Sequence, residues 1–482
     1  MTNGHAVHPA PDEELGEGIE VTERHVAAEA PEADASRRKG VQPGRIRAIP
    51  SGSWCGPMKS VTVPRINGQR LWADLMALGE IGFAEGRGVT RTALSDADLA
   101  GREWLVGKFR EAGLDVRIDA ACNVIGRLRS GQTGAGLVAV GSHLDTVPQG
   151  GRFDGMLGIL AGLECVRTIR EHGMELPRDL EVIDFTDEEA AHNAGTLGSR
   201  AMMGLLKDGE LERSVKQGRP SFADDLRKAG KDPTRIGEAC RDAKEFTCYL
   251  ELHIEQGARL ESQGIQIGAV TAIVGIYRYL VTVEGAPAHA GTTPMTLRND
   301  ALVKAAPLFT LLPEWVKARD PEMVGTIGYL ELFPGVPNVV PGRCQFVVEV
   351  RSQRTSDMVH IRELLKTYAA SREGWRVETI LEKERTPCAE PLIQAVVDAA
   401  SKEGLSCIRM PSGAGHDAQS LAAAGVPTGM IFVPCRRGVS HSPGEWTEPE
   451  RAADGCQVLL RTLLSLAGQQ QGEVGRVPHS GA

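Results

Sequence analysis

The stretch "GLVAVGSHLDTVPQGGRFDGMLGILAGLECVRTIREHG" runs from Gly136 to Gly173 and reads as a strand, a loop and a helix in that order. Leu137–Val140 is a short apolar run, the pattern of a strand buried on both faces. After the loop, Met156, Ile159, Leu160, Leu163, Val166 and Ile169 recur at helical intervals. The loop between them carries His143, Asp145 and Asp154. The carboxyl edge of a parallel sheet is where α/β proteins place ligands. There His143 offers an imidazole nitrogen. Asp145 points the same way in extended chain and could hold the ring's other N–H. A Gly-rich turn could bring the Asp154 carboxylate to the same point. A plainer reading also fits, with Asp154 capping the helix and His143 at a strand edge.

The same grammar recurs outward. "DLEVIDFTDEE" predicts a second strand, "CYLELHIEQG" a third and "TGMIFVPC" a fourth. "LSDADLAGREWLVGKFREAG" predicts a helix capped by Ser95 or Asp96 and stopped at Gly113. Alternating strands and helices imply an α/β catalytic domain, its mostly parallel sheet flanked by helices. Between about 269 and 384 the texture changes. "RYLVTVEG", "GYLELF" and "CQFVVEVRS" alternate as half-buried strands do. This predicts a smaller α+β lid or dimerisation domain inserted into the first. The expected boundaries are 1–64 for a disordered extension, 65–268 and 385–470 for the catalytic domain, 269–384 for the lid and 471–482 for a flexible tail.

Bulk composition narrows the class. At 482 residues, 41% hydrophobic and 24% charged, the chain is sized for two globular domains. A net charge of -9 without a basic stripe argues against a nucleic-acid partner. No apolar run is long enough to span a membrane. The ten cysteines form no C-x-x-C pair, and no secretory signal stands at the N-terminus, so a cytoplasmic location is expected. The first 34 residues hold nine acidic side chains and one arginine, without apolar periodicity. The working chain is therefore expected to begin near Met58.

The predicted strand ends are chemically loaded. "FTDEEA" crowds Asp187, Glu188 and Glu189 together, which is costly unless a cation or proton neutralises them. One carboxylate could bind a metal while its neighbour takes a proton; a solvated acidic loop is the plainer alternative. His253 lies in the third strand, where a lone histidine also reads as core. His441 lies in the loop after the fourth. Together His143, Asp154, Glu189, His253 and His441 give five N/O donors and no thiolate, a set suited to one or two zinc or manganese ions. Beyond the strand ends, "GAPAHAGTTPM" contains His289 and "PSGAGHDAQS" contains Gly415 and His416. Asn338 in "GVPNVVPG" and Arg351 in "VEVRS" are candidates to bind a substrate carboxylate, although Arg351 alone also fits a surface ion pair.

Seven motifs occur in order: "GSHLDTVPQGGRFDG", "TDEEA", "ELHIEQG", "HAGTTPM", "PNVVPG", "SGAGHDA" and "SHSPGE". As a set, over about residues 65 to 465, they resemble the M20 metallopeptidase-like superfamily. The closer resemblance is to its amidase, hydantoinase and carbamoylase branch, which holds N-carbamoyl-L-amino-acid hydrolases, allantoate amidohydrolases and β-ureidopropionases. His253 fits that branch, since the peptidases usually carry a carboxylate there. Two stretches depart from many relatives, "AAHNAGTLGSR" after the Glu pair and "GIYRYLV", which lacks a glutamine near the substrate. Both bear on the substrate rather than the chemistry.

The resemblance implies two divalent metal ions per subunit, zinc or manganese, with cobalt or nickel as alternatives. Asp154 would bridge them, His143 and His253 completing one and Glu189 and His441 the other. Glu188 would be the general base and Asp145 its neighbour behind the ligands. His289 would reach the partner subunit's site in a homodimer formed through the lid. Asn338, Arg351, Gly415 and His416 would bind a small N-carbamoyl or ureido acid. The expected activity is hydrolysis of an N-carbamoyl-L-amino acid to the L-amino acid, carbon dioxide and ammonia. Allantoate or a β-ureido acid is the alternative substrate, and a metal-free dimeric binding protein is the alternative from another class. Lid closure implies a hinge near residues 268 and 385.

Overall fold

Every residue of the Leu137–His143 strand is buried, as its apolar run requires. The strand lies in the middle of a nine-stranded sheet in the computed structural model. The structure describes residues 63–130, 136–192, 195–213 and 220–467. Met58, the rest of the expected extension up to residue 62, and the expected tail from 471 lie outside the described residues.

Across the sheet the order is Thr386–Pro387, Ile267–Ile273, Thr428–Val433, Phe246–Ile254, Leu137–His143, Asp179–Phe185, Val124–Leu128 and Asp115–Ile118. Cys407–Ser412 pairs beside Ile267–Ile273, off this path. The four central strands, which are the four predicted from sequence, run parallel to one another. The strands flanking them pair antiparallel, and Cys407–Ser412 is parallel to its neighbour. The parallel character is thus concentrated at the centre. All four central strands end at one edge, with His143 opposite Phe185 and His253 opposite Phe432.

Alternation along Phe246–Ile254 sends Leu250 and Leu252 to one face and Tyr249, Glu251 and His253 to the other. The helix Pro449–Ala467 packs on the sheet and against helices Gly68–Gly79, Met156–Glu171 and Glu390–Lys402. On the Glu251 face, the Ala418 N–H at the start of helix Ala418–Ala423 donates to Glu251 Oε2 at 3.1 Å. Helix Asp96–Glu111 starts where expected: the Ser95 side chain accepts the Asp98 N–H.

A separate four-stranded antiparallel sheet has the order Val324–Phe333, Arg343–Ser352, Gly275–Glu284, Trp375–Lys383. Helices Ala301–Arg319 and Thr355–Ala370 pack on it. It has its own core, which includes Tyr279, Val281, Leu308, Phe346 and Ile361. Arg343–Ser352 alternates strictly between half-buried and buried residues, the expected period of two. Ile267–Ile273, which straddles the expected boundary at 268, pairs in the larger sheet, so the second sheet begins at Gly275.

Candidate active site

The Asp154 carboxylate lies at the centre of the site. Its Oδ1 is 3.1 Å from His253 Nε2 and 3.7 Å from His143 Nε2. Its Oδ2 is 3.4 Å from His441 Nε2, which is itself 3.2 Å from Glu189 Oε1. Glu188 Oε2 lies 3.8 Å from His143 Nε2. Helix Met156–Glu171 is not capped by Asp154; its N-cap is Gly155, at φ +71°, and no side chain bonds there. A Cβ on Gly155 would sit 2.5 Å from the His143 ring, so glycine keeps both the turn and the imidazole in place.

The backbone around each donor is anchored. Leu144, beside His143, gives its N–H to Asp184 Oδ1 at 2.9 Å, and its carbonyl accepts from the buried Arg91 Nε at 2.8 Å. Arg102 in turn pairs with Asp184 at 2.8 Å. His143 Nδ1 faces the Asp145 carbonyl at 2.9 Å, and His253 Nδ1 faces the Ile254 carbonyl at 2.9 Å. A carbonyl can only accept, so in each ring Nδ1 carries a proton, and Nε2 is the nitrogen that faces Asp154 and could take an ion. The Asp145 carboxylate does something the sequence did not suggest. It lies 3.7 Å from the His143 ring and instead accepts the backbone N–H groups of Glu188 and Glu189.

Without a counter-ion the centre is electrostatically unbalanced. Burial pushes the Glu188 carboxyl well above its ordinary range, and Glu189 pushes it the same way. Burial also raises Glu189, with Asp154 adding to the effect. Burial would raise Asp154 too, but hydrogen bonds from His253 and His441 outweigh it and hold that carboxyl low. Bonds to Asp154 and Glu189 lift His441 to about 11.

A divalent ion fits this donor set. Two atoms bound to one ion at roughly 2.1 Å each lie about 3–3.5 Å apart in tetrahedral geometry, and most of these separations match. Ligand atoms of His143, Asp154 and His253 form one compact trio, and those of Asp154, Glu189 and His441 form another. Asp154 is common to both. Two further trios, His143 with Glu188 and Glu189, and Glu251 with His253 and His416, overlap the same donors.

The substrate candidates divide into two groups. Arg351 donates to the Gly413 carbonyl at 3.0 Å and to Glu349 at 2.8 Å, which brings it to the loop holding Gly415 and His416. His416 is buried, 2.9 Å from Ser412 Oγ, with its ring 4.6 Å from that of His253. Exposed His289 and Asn338 share a short ladder, Ala288–His289 with Val339–Val340 and the Asn338 carbonyl. No hydrogen bond or ion pair among the described residues joins them to the Asp154 cluster. The N–H groups of Gly291 and Thr292 both donate to His289 Nδ1, leaving the proton on Nε2.

Sequence reasoning passed over several residues of the site. Gln256 Nε2 donates to Asp154 Oδ2 at 2.8 Å. Glu251 is fully buried and receives Ser142 Oγ at 2.9 Å and the Tyr249 hydroxyl at 3.2 Å. Lys383, ending the Trp375–Lys383 strand, is lowered to about 8 by burial, which the nearby Glu188 opposes. Gln256 was within sight of sequence reasoning, three residues after His253 in "HIEQG".

The family model described as Peptidase family M20/M25/M40 matches residues 139–465. The chain belongs to that family. Within the M20/M25/M40 family, the N-carbamoyl-L-amino acid amidohydrolase of Geobacillus stearothermophilus is 41% identical over 414 residues, covering 85% of this chain and 100% of the relative. The allantoate amidohydrolase of Bacillus subtilis is 33% identical over 400 residues, covering 81% and 95%. The crystal structure of an amidase of the hydantoinase/carbamoylase family from Burkholderia vietnamiensis superposes with a TM-score of 0.76 at 35% identity, covering 84% and 98%.

Proposed function

We propose that this M20/M25/M40 member is a metal-dependent amidohydrolase that cleaves the linear ureido C–N bond of N-carbamoyl-L-amino acids. The observation that carries this reading is the sharing of Asp154 between two donor trios, with the Glu188 carboxylate beside them. The 41% identity to an N-carbamoyl-L-amino acid amidohydrolase supports the substrate class. A metal-free binding protein would leave the largely covered carboxyls of Glu188 and Glu189, which burial and neighbouring carboxylates push upward, without a sufficient counter-charge.

His143, Asp154 and His253 would hold one divalent ion, and Asp154, Glu189 and His441 a second. Zinc and manganese suit these donors, with cobalt or nickel as alternatives. When bound, such ions lower the pKa of coordinated water and polarise a carbonyl oxygen. Glu188 accepts the proton of the attacking water and returns it to the departing amino-acid nitrogen. The carbamic acid left behind breaks down to carbon dioxide and ammonia. Arg351 holds the substrate carboxylate, which sets the ureido carbonyl in place, and Gly415 and His416 line the same pocket. Asn338 adds an amide to that carboxylate.

His289 acts from the partner subunit of a homodimer, where its Nε2–H stabilises the developing oxyanion. The exposed apolar side chains of Met295, Leu297, Tyr329 and Leu330 on the inserted segment support such an interface. Among the described residues no helix is long and apolar enough to cross a membrane. Nine thiols are free there, which fits a cytoplasmic location.

The test is ammonia release across a panel of N-carbamoyl-L-amino acids, allantoate and β-ureido acids, with a dipeptide assayed for cleavage. The highest kcat/KM is expected on an N-carbamoyl-L-amino acid. A higher value on allantoate, which the similarity to the B. subtilis enzyme makes the leading rival, would displace this substrate assignment.

A further inference from the structure

Glu445 joins the two loops that carry Asp154 and His441, although it offers no ligand atom to either donor trio. It is buried, 4% exposed. Its Oε1 accepts the backbone N–H of Phe153 at 2.9 Å and of Asp154 at 3.0 Å, across nearly three hundred residues of chain. Its Oε2 lies 3.1 Å from Ser440 Oγ, and that hydroxyl lies 2.7 Å from Asp154 Oδ2. The Glu445 N–H donates to the Ser442 carbonyl at 3.0 Å. One side chain and its own backbone thus grip both sequence neighbours of His441 and the backbone of Asp154. The fit is tight: a Cβ on Gly151 would fall 2.1 Å from Glu445 Oε1.

This grip acts on an unstable part of the centre. His441 sits at φ +54°, in the left-handed region that non-glycine residues seldom occupy. Such a conformation is strained and persists only where its surroundings over-determine it. His441 is also the half-exposed donor of the set, at 48%. His143 and His253 differ in both respects. They are buried at the ends of central strands, each with its ring fixed by a backbone carbonyl, and neither bonds to Glu445.

We propose that Glu445 is a positioning residue that sets the separation of Asp154 and His441, and so controls occupancy of the Asp154–Glu189–His441 position far more than that of the His143–Asp154–His253 position, in which Asp154 alone meets Glu445. The inference rests on the two-position reading of the centre given above.

The test is metal titration of the metal-free full chain with manganese and with zinc, by calorimetry and by elemental analysis after desalting. Four variants are compared: Glu445→Ala, Glu445→Asp, Glu445→Gln and Ser440→Ala. Melting temperatures without metal report which variants fold. Ala and Asp lose the reach to Phe153, Asp154 and Ser440, so the second binding step should weaken by about 10–100-fold and the first by markedly less. Ser440→Ala, which leaves Glu445 itself intact, should weaken the second step to a smaller extent. Gln keeps an oxygen for the two N–H groups and an amide for Ser440 Oγ, so it should retain both steps. Should Ala and Asp fail to fold, the Gln and Ser440→Ala results decide. Equal weakening of both steps, a Gln variant as impaired as Asp, or a Ser440→Ala variant with an unaltered second step would overturn the proposal. A single binding step in the unmodified protein would instead count against the two-position reading itself.

Discussion

The carboxylate of Asp145 accepts the backbone N–H of Glu188 at 3.2 Å and that of Glu189 at 3.1 Å. The preceding residue, Asp187, sits at φ +57°, so the chain turns sharply just before the pair. Asp145 fixes the peptide groups of that turn and thereby aims two carboxylates that would otherwise repel each other apart. Asp145→Ala leaves two partly buried N–H groups without this acceptor, at up to about 1–3 kcal/mol each. A lower melting temperature of the metal-free protein is expected, together with a fall in kcat larger than the change in KM. Asp145→Asn, which keeps one acceptor oxygen, should lie between the two. Wild-type kcat in the Ala variant would show that Asp145 does not aim Glu188.

Glu188 lies beside the donor trios and is assigned the proton transfer. Glu188→Gln should bind metal like the unmodified protein and lose about 10²–10⁴-fold in turnover. Elemental analysis and steady-state rates on one preparation check this. A metal-loaded variant with a near-normal rate would remove Glu188 from the role of base.

His289 and the Asp154 cluster share no hydrogen bond or ion pair among the described residues, which motivates the shared-site reading. His289→Ala and Glu188→Gln homodimers should each be nearly inactive. Mixed after subunit exchange, they should regain part of the activity, because one heterodimer site is then intact. Confirmed exchange without recovery would place His289 outside the partner's site.

His192 connects the carboxylate loop to helix Phe222–Lys228. Its Nδ1 lies 3.2 Å from Asp187 Oδ2 and its Nε2 lies 2.9 Å from Asp225 Oδ2. Burial lowers its pKa, but the bonds and charges of Asp187 and Asp225 outweigh that and the net shift is upward. A raised folded pKa means stability fully present below the unfolded value of about 6.5 and lost as pH rises through the folded value. The stability gap between the unmodified protein and His192→Gln should therefore be largest in mild acid and shrink in alkali. Melting curves across that range check it, and a gap that widens with pH would reverse the sign.

The four central strands and the helix capped by Ser95 were legible because each rests on local pattern: an apolar run, a period, a cap. His143, Asp154, Glu189, His253 and His441 were legible as donors because each lies in or just past one of those strands. Their partners were not. Asp145 meets Glu188 and Glu189 through backbone N–H groups, and Glu445 reaches Phe153 the same way, so side-chain identity carries no trace of either contact. The Trp375–Lys383 strand escaped notice because an irregularity between Thr379 and Leu381 breaks its alternation. The antiparallel flanks of the large sheet depend on tertiary pairing that no local period encodes.

The most direct measurement follows ammonia release from an N-carbamoyl-L-amino acid by protein stripped with chelator and then reloaded. The account predicts that activity disappears with the metal and returns as zinc or manganese is restored, reaching its maximum at two ions per subunit. Undiminished hydrolysis by exhaustively stripped protein would contradict it.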